Sequence, residues 1–172
     1  MMFRGAEQAD IPALARLEER VFGRGAWSEG MIRQELEAPA RTYLVYEVDG
    51  RILAYGGFWF DGEDAELMTI GVDPCLRRRS IGRRLLEELV SQARSDGSGR
   101  MLLEVRVDND PALCLYGQMG FRRLGLRRHY YQPEDVDAYT MALDLSPRSA
   151  PVGPVGGDRN AMNHGEDGSG HE

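Results

Sequence analysis

Apolar residues recur with two different periods along the N-terminal part of the chain. The segment "DIPALARLEERVF" places its large apolar residues on one helical stripe, which predicts a helix with Asp10 as its N-cap. A second short helix is predicted to begin at Ser28 in "SEGMIRQELE". The runs "TYLVYEV" and "RILAYGGFWF" are instead rich in β-branched and aromatic residues. Asp49 and Gly50 lie between these runs and predict a tight hairpin.

Strand and helix patterns alternate in the second half of the chain. "ELMTIGV", "IGRRLLEELVSQAR" and "RMLLEVRV" read as strand, helix and strand, and this spacing predicts a crossover between two parallel strands. "NDPALCLYGQMG" predicts a helix with Pro111 in its first turn and Gly120 at its left-handed end. "FRRLGLRRHYY" and "DAYTMALDL" predict a second hairpin. An α/β fold with a mixed sheet follows.

Length and composition favour one folded domain. A chain of 172 residues with 42% hydrophobic content supports a single well-buried core, which we assign to residues 1–145. Residues 146–172 are rich in Gly, Pro, Ser and Asn without an apolar period, and this predicts a disordered tail. The chain has no run of about eighteen apolar residues, and its N-terminus lacks the apolar stretch of a signal peptide. We therefore expect a cytoplasmic protein without membrane association.

Charge and cysteine content indicate which kinds of partner and ligand to expect. The net charge of -7 argues against direct nucleic-acid binding, which needs a cationic face, and favours a basic partner. The two cysteines, Cys75 and Cys114, lack metal-ligand spacing. They predict reduced thiols and no metal site.

The segment "RRRSIGRR" joins a predicted strand to a predicted helix. Unpaired N–H groups and the helix dipole at such a turn favour anions, and a diphosphate suits the site. The small residues Ser80 and Gly82 permit close approach of a ligand, and arginines surround them: Arg77, Arg78, Arg79, Arg83 and Arg84. The alternative is a helix start whose arginines face water.

Three segments carry a resemblance to a known family. "VDPCLRRRSIGRRLL" resembles the acyl-CoA-binding segment of the GCN5-related N-acetyltransferases (GNAT), with Ser80 where the first glycine is usual. "LEVRVDNDPALCLYGQMGFRRLGLRRHYY" and "AWSEGMI" are similar to the RimI-like branch, the bacterial ribosomal-protein N-terminal acetyltransferases. The resemblance covers residues 3–144. It implies a GNAT fold: a mostly antiparallel mixed sheet, one splayed parallel strand pair, helices on both faces, and acetyl-CoA as cosubstrate.

The resemblance also implies which residues hold acetyl-CoA. The pantetheine is expected along the edge of the first parallel strand and the diphosphate at the arginine-rich turn, and Asn109 is expected to touch the cofactor. The implied contacts are Ile70, Gly71, Val72, Arg77, Arg78, Arg79, Ser80, Ile81, Gly82, Arg83 and Asn109. Independently, a glycine within a β-rich run predicts a bulge at Gly71.

Attack of an amine on a thioester requires a proton acceptor and a proton donor for the departing thiolate. The resemblance implies that Glu104 is the general base, acting through water, and that Tyr116 is the general acid. From the residues alone, Glu104 could instead be solvated or paired with Arg106, and Tyr116 could be a core residue. Cys114 has no adjacent histidine, so direct transfer in a ternary complex is favoured over an acyl-cysteine.

The acceptor is expected to be a protein N-terminus. An α-amine has a pKa of about 7.7–8.0, against about 10.4 for lysine, so less free energy is needed to neutralise it. The resemblance implies the N-terminal alanine of a basic small-subunit ribosomal protein. Trp27, Tyr130 and Tyr131 are candidates for the acceptor groove, and acidic residues are expected along its approach: Glu29, Glu35, Glu37, Asp61, Glu63, Asp64 and Glu66.

Other functions remain open at the level of sequence. The same fold could acetylate lysine side chains or a small-molecule amine, or the chain could be a non-catalytic acyl-CoA-binding module. The expected assembly is a monomer or a weak dimer.

Overall fold

The computed structural model describes residues 2–76 and 80–146. The strands are β1 (Met2–Gly5), β2 (Arg41–Val48), β3 (Arg51–Phe60), β4 (Ala65–Val72), β5 (Arg100–Arg106), β6 (Arg122–Tyr131) and β7 (Val136–Asp144). The helices are α1 (Ile11–Phe22), α2 (Glu29–Glu37), α3 (Ile81–Ser95) and α4 (Asp110–Met119). Arg77, Arg78 and Arg79, and the predicted tail apart from Ser146, lie outside the described residues.

The described strands form one seven-stranded sheet in the order β1-β2-β3-β4-β5-β7-β6. Neighbours are antiparallel except β4 and β5, which run parallel and pair only at Ala65–Met101 and Glu66–Leu102. Strand β3, in contrast, stays paired with β4 as far as Val72. Strands β4 and β5 therefore separate after Glu66 and form a V. The edge of β4 that faces this V has no strand partner, which confirms the expected splayed parallel pair.

Helices cover both faces of the sheet, as expected. On one face, Leu85, Leu86 and Leu89 of α3 are fully buried against the sheet, where they join Met101 and Leu103 of β5. Helix α4 packs on the same face. Each fully buried leucine contributes about 1.5–3 kcal/mol to folding, so this layer is a large part of the free energy that holds α3 in place.

Helices α1 and α2 cover the opposite face. Leu14 and Leu17 of α1 and Ile32 of α2 pack with Val45 and Tyr55 of the sheet. Within the two described ranges, no helix has the length and apolarity to cross a membrane.

Local turn chemistry accounts for most element boundaries. The Ser28 hydroxyl accepts a hydrogen bond from the Met31 N–H at 3.2 Å, which confirms the predicted start of α2. Asp49 and Gly50 have φ of 50° and 74°, as a tight hairpin between twisted strands requires. Gly120 ends α4 with φ of 97°, a conformation that glycine adopts readily.

Asp10 is the N-cap residue of α1, as predicted, but its side chain does not cap the helix. Residues Gln8–Asp10 form a short 3₁₀ turn that runs directly into α1, so Asp10 already has helical backbone angles. Its carboxylate turns back, accepting hydrogen bonds from the Glu7 N–H at 2.8 Å and from the Arg4 guanidinium at 2.8 and 3.0 Å.

The predicted bulge at Gly71 is wrong, because Gly71 pairs regularly with Tyr55. The register shift lies earlier on β4, where Gly57 pairs with Thr69 and Phe58 with Leu67, so Met68 is the additional residue. At Gly71, a Cβ would lie 3.3 Å from the Phe22 ring. The glycine therefore makes room for the end of α1 and does not bend the strand.

Candidate active site

Glu104 lies on β5, at the mouth of the V. Its neighbours Leu103 and Val105 point into the core under α3, so alternation places Glu104 on the opposite face, with α1 and α2. Its side chain is 15% exposed. Thr140, its cross-strand partner on β7, donates a hydrogen bond at 2.9 Å, and the Arg127 guanidinium lies 3.4 Å from the other carboxylate oxygen.

The alternative partner for Glu104 is ruled out by these contacts. Arg106 donates to Asp108 at 3.0 and 3.2 Å and lies 3.9 Å from Glu134, so it is engaged at the end of β5. Glu104 is thus a half-buried carboxylate held by a neutral hydroxyl on one side and a largely exposed arginine on the other. A carboxylate in this position can accept a proton from a group that enters the V.

The two aromatic candidates at the end of β6 lie beside Glu104. Burial raises the pKa of Tyr131 to about 12, with smaller contributions from the charges of Tyr130 and Glu104. The rings of Tyr130 and Tyr131 meet edge to face, with centroids 5.0 Å apart. Tyr130 remains 43% exposed. The pair therefore forms an aromatic wall, and its exposed side is available to a ligand.

Tyr116 lies on α4, 6% exposed, with its ring centroid 5.6 Å from that of Phe121. Desolvation raises the pKa of Tyr116, and the charge of Tyr131 adds to this effect. The Tyr116 hydroxyl is therefore a neutral O–H donor at physiological pH.

Tyr131 lies in the same region as the predicted base and the predicted acid. The charge of Glu104 adds to the raised pKa of Tyr131, and the charge of Tyr131 adds to the raised pKa of Tyr116. Side chains of β5, α4 and β6 therefore share one region of the molecule.

The described part of the arginine-rich turn begins at Ser80, which has left-handed φ and ψ of 61° and 15°. The Ser80 side chain makes no capping hydrogen bond to α3. The N–H groups of a helix's first turn have no partner within the helix and can bind anions. At Gly82, a Cβ would lie 3.5 Å from Val72 and 3.8 Å from Leu115. The helix start is therefore close to the end of β4 and to α4, beside Tyr116.

The arginines of this turn differ in their contacts. Arg83 forms an exposed ion pair with Glu87 at 3.1 Å, and the Arg84 guanidinium lies 5.4 Å from the Phe3 ring centroid. Arg84 is thus directed toward β1. The predicted contacts Arg77, Arg78 and Arg79 lie outside the described residues.

The other predicted cofactor contacts lie around the V. Ile70 and Val72 pack on the α3 side of β4, Gly71 lies beneath the end of α1, and Ile81 is buried in the core at the start of α3. Asn109 uses its side-chain oxygen to cap α4 at Ala112, at 3.2 Å. Asn109 is thus fixed at the point where β5 passes into α4.

The acidic residues Asp61, Glu63, Asp64 and Glu66 stay predictions for the acceptor approach, and the structure gives their positions. Strand β4 begins at Ala65, so these residues lie at the closed end of the V, where β4 and β5 still pair. Asp61 accepts hydrogen bonds from two N–H groups of its own turn, both at 2.8 Å, and Asp64 pairs with Arg100 at 3.0 Å. Glu35 is also engaged, because it accepts hydrogen bonds from Arg41 and Tyr43.

Trp27 lies in the segment between α1 and α2, here called the acceptor loop (residues 23–28). Its half-buried side chain packs with the α1–α2 core. Its backbone N–H donates at 3.0 Å to Glu18, a carboxylate that is only 1% exposed. Sequence reasoning missed Glu18. The available signal was a glutamate one turn after Leu14, within the apolar stripe of α1.

Two further observations concern the cysteines and possible metal ligands. Both cysteines are exposed, and the Cys114 sulfur accepts a hydrogen bond from Gln118 at 3.5 Å. In residues 2–76 and 80–146, no three His, Cys, Asp or Glu side chains are arranged to hold a metal ion.

Comparison with known proteins identifies the family of this chain. Residues 11–121 match the family model described as Acetyltransferase (GNAT) family. The chain therefore belongs to the GNAT family and is an acetyl-CoA-dependent N-acetyltransferase.

Two relatives and one solved structure to which the chain is similar have more specific activities. The chain is 43% identical to N-alpha-acetyltransferase RimI of Mycobacterium tuberculosis, over 80% of this chain and 88% of the relative. It is 33% identical to the ribosomal protein bS18-alanine N-acetyltransferase of Escherichia coli K12, over 81% and 95%. The crystal structure of the Escherichia coli ribosomal-protein-S18-alanine N-acetyltransferase superposes with a TM-score of 0.79 at 29% identity, covering 88% of this chain and 97% of that chain.

Proposed function

We propose that this chain transfers acetyl from acetyl-CoA to the α-amine of the N-terminal alanine of ribosomal protein bS18. The observation that carries the proposal is the splay of β4 and β5 beside Glu104, whose carboxylate is held by the Thr140 hydroxyl at 2.9 Å. The chain matches an N-alpha-acetyltransferase RimI and a ribosomal protein bS18-alanine N-acetyltransferase over about four fifths of its length, which supports the same acceptor here.

The proposed binding position of acetyl-CoA is on the α3 side of the V. The unpaired edge of β4 offers backbone groups to the amides of the pantetheine, in the manner of an added strand. The N–H groups of the first turn of α3 suit the diphosphate. Residues Ile70–Val72, Arg77–Arg83 and Asn109 are the proposed contacts.

The acceptor peptide is proposed to enter from the α1–α2 side, between Trp27 and the wall of Tyr130 and Tyr131. The proposed approach brings the amine to Glu104, which takes up the amine proton through water as nitrogen attacks the thioester carbonyl. As the carbon–sulfur bond breaks, Tyr116 donates its proton to the departing thiolate. The products are an N-acetyl peptide and free coenzyme A, and exchange with solvent restores both side chains.

The α-amine suits this site better than lysine. Neutralising lysine requires about 3.5 kcal/mol more than neutralising an α-amine, from a pKa difference of about 2.5 and about 1.36 kcal/mol per unit. A single carboxylate with one hydroxyl partner has few means of offsetting that difference. Because ribosomal proteins are made in the cytoplasm, we also propose a cytoplasmic location.

The test is a matched acceptor panel with purified protein and acetyl-CoA. One peptide carries the N-terminal sequence of bS18 from the same organism, and its control is the identical peptide with a blocked N-terminus. Intact-mass analysis should show one added acetyl group on the free peptide only. Acetylation of the blocked peptide would contradict the α-amine as acceptor. Preferential acetylation of polyamines or aminoglycosides would indicate a small-molecule acceptor. Binding of acetyl-CoA without turnover would indicate a non-catalytic module.

A further inference from the structure

Glu18 is a buried carboxylate that the proposed mechanism does not use. It lies on α1 and is 1% exposed, among the apolar side chains that join α1 to the sheet. Both of its oxygens are occupied. One accepts a hydrogen bond from the Tyr55 hydroxyl, and the other accepts from the Trp27 N–H at 3.0 Å.

These two bonds join three parts of the molecule. Trp27 belongs to the acceptor loop, Glu18 belongs to α1, and Tyr55 belongs to β3, where it is the register partner of Gly71 on β4. The Tyr55 hydroxyl also interacts with the side chain of Thr69, the residue that follows the bulge on β4. The acceptor loop is thereby connected to the strand whose free edge forms one side of the V.

Glu18 cannot itself serve as the base that meets an incoming amine. It is almost fully buried, and both oxygens already accept hydrogen bonds, whereas Glu104 keeps part of its side chain open to the V. Burying a carboxylate costs free energy, which hydrogen bonds to both of its oxygens offset. The two bonds hold Glu18 and its partners in one arrangement, which points to a role in orienting those partners.

We propose that Glu18 is a positioning residue that fixes the backbone of the acceptor loop at Trp27 and ties it, through Tyr55, to β4. The inference rests on the proposed function, because it assumes that this loop borders the acceptor groove. Loss of Glu18 loosens the groove without touching the residues assigned to acetyl-CoA or to proton transfer. Its effect is therefore expected in the KM for acceptor peptide.

The experiment compares Glu18→Ala, Glu18→Gln and Glu19→Gln, the last an exposed neighbour on the same helix. We expect Glu18→Ala to raise the acceptor KM about tenfold, the effect of one or two lost hydrogen bonds, with kcat and acetyl-CoA affinity within about twofold of wild type. Glu18→Gln should recover most of this loss, because its amide oxygen can accept from Trp27 and its NH₂ can donate to the Tyr55 oxygen. Glu19→Gln should match wild type.

A second measurement does not depend on activity. The Trp27 amide should be protected from hydrogen exchange in wild type and in Glu19→Gln, and should exchange faster in Glu18→Ala. Tyr55→Phe removes the link to β3, and its effect on the acceptor KM should be less than additive with that of Glu18→Ala.

The outcomes separate this inference from the proposed function. If wild type acetylates the bS18 peptide but Glu18→Ala leaves both the acceptor KM and the Trp27 exchange rate unchanged, the inference is overturned. It is equally overturned if Glu18→Gln behaves like Glu18→Ala, because hydrogen bonding would then not explain the role. If wild type does not acetylate the peptide, the proposed function is contradicted. The acceptor groove that this inference assumes is then contradicted as well, even if the Trp27 amide exchanges faster in Glu18→Ala.

Discussion

Replacement of Glu104 by glutamine tests the central chemical assignment. Glutamine keeps an oxygen that can accept the Thr140 hydroxyl, now bound at 2.9 Å, so the side chain should keep its place on β5. What is lost is the negative charge 3.4 Å from Arg127 and the capacity to take a proton. The substitution therefore separates proton transfer from shape.

The magnitude follows from the role. A general base contributes about 10²–10⁴ in rate, which is about 3–5 kcal/mol of barrier. We expect single-turnover acetylation by Glu104→Gln to be slower by that factor, with the affinity for acetyl-CoA within about twofold of wild type. The remaining rate should rise with pH until the acceptor α-amine, with its pKa of about 8, is neutral.

The control is Glu88→Gln, which makes the same chemical change at an exposed glutamate on α3. It should leave every rate constant unchanged. If Glu104→Gln turned over like wild type across this pH range, Glu104 would have no part in the mechanism. If it lost acetyl-CoA affinity as well, Glu104 would be acting on the structure of the V.

Three other outcomes are expected. Tyr116→Phe should slow the chemical step at least about 10²-fold in rapid-quench measurements with little change in acetyl-CoA affinity, and an effect on unfolding alone would make Tyr116 a core residue. Gly82→Val should raise the acetyl-CoA Kd about tenfold or more in calorimetry, because branches beyond the Cβ would enter the 3.5 Å space beside Val72, whereas an unchanged Kd would place the diphosphate elsewhere. Burial raises the pKa of Glu18 above its ordinary value of 4.5 in the folded protein. Wild type is therefore more stable at low pH, where Glu18 is protonated, and loses this stability as pH rises through the folded-state pKa. In urea unfolding, the stability of Glu18→Gln relative to wild type should therefore increase from pH 4 to pH 8, and a difference independent of pH would contradict this.

The architecture was predictable because its signals are local. Periodicity placed the helices, Asp49-Gly50 placed a hairpin, and the strand–helix–strand spacing identified the parallel pair. Each of these features depends on residues close together in the sequence. The splay of the parallel pair followed from the family resemblance alone.

The two mispredicted features have different origins. The Asp10 side chain does not cap α1 because Arg4 and the Glu7 N–H, both nearby in the sequence, hold its carboxylate, so local interactions competed for one group. Gly71 is small because Phe22, which is distant in the sequence, packs above it, and a window around Gly71 does not contain that reason.

The environment of Glu104 likewise depends on residues distant in the sequence. Its hydrogen-bond partner Thr140 comes from β7, which inserts between β5 and β6 in the sheet. The family resemblance could nominate Glu104 as a base, but the contacts that hold it arise from strand order. The roles of Glu104 and Tyr116 stay predictions until their variants are assayed.

The brief pairing of β4 with β5 has a mechanical consequence. Backbone bonds run along nearly the whole of β2 with β3 and of β5 with β7, but β4 and β5 share them at only two residue pairs. A load applied between the outer strands β1 and β6 would thus concentrate at this junction, where side-chain packing of α3 carries most of the resistance. In single-molecule stretching along that axis, the two halves of the sheet should part there first.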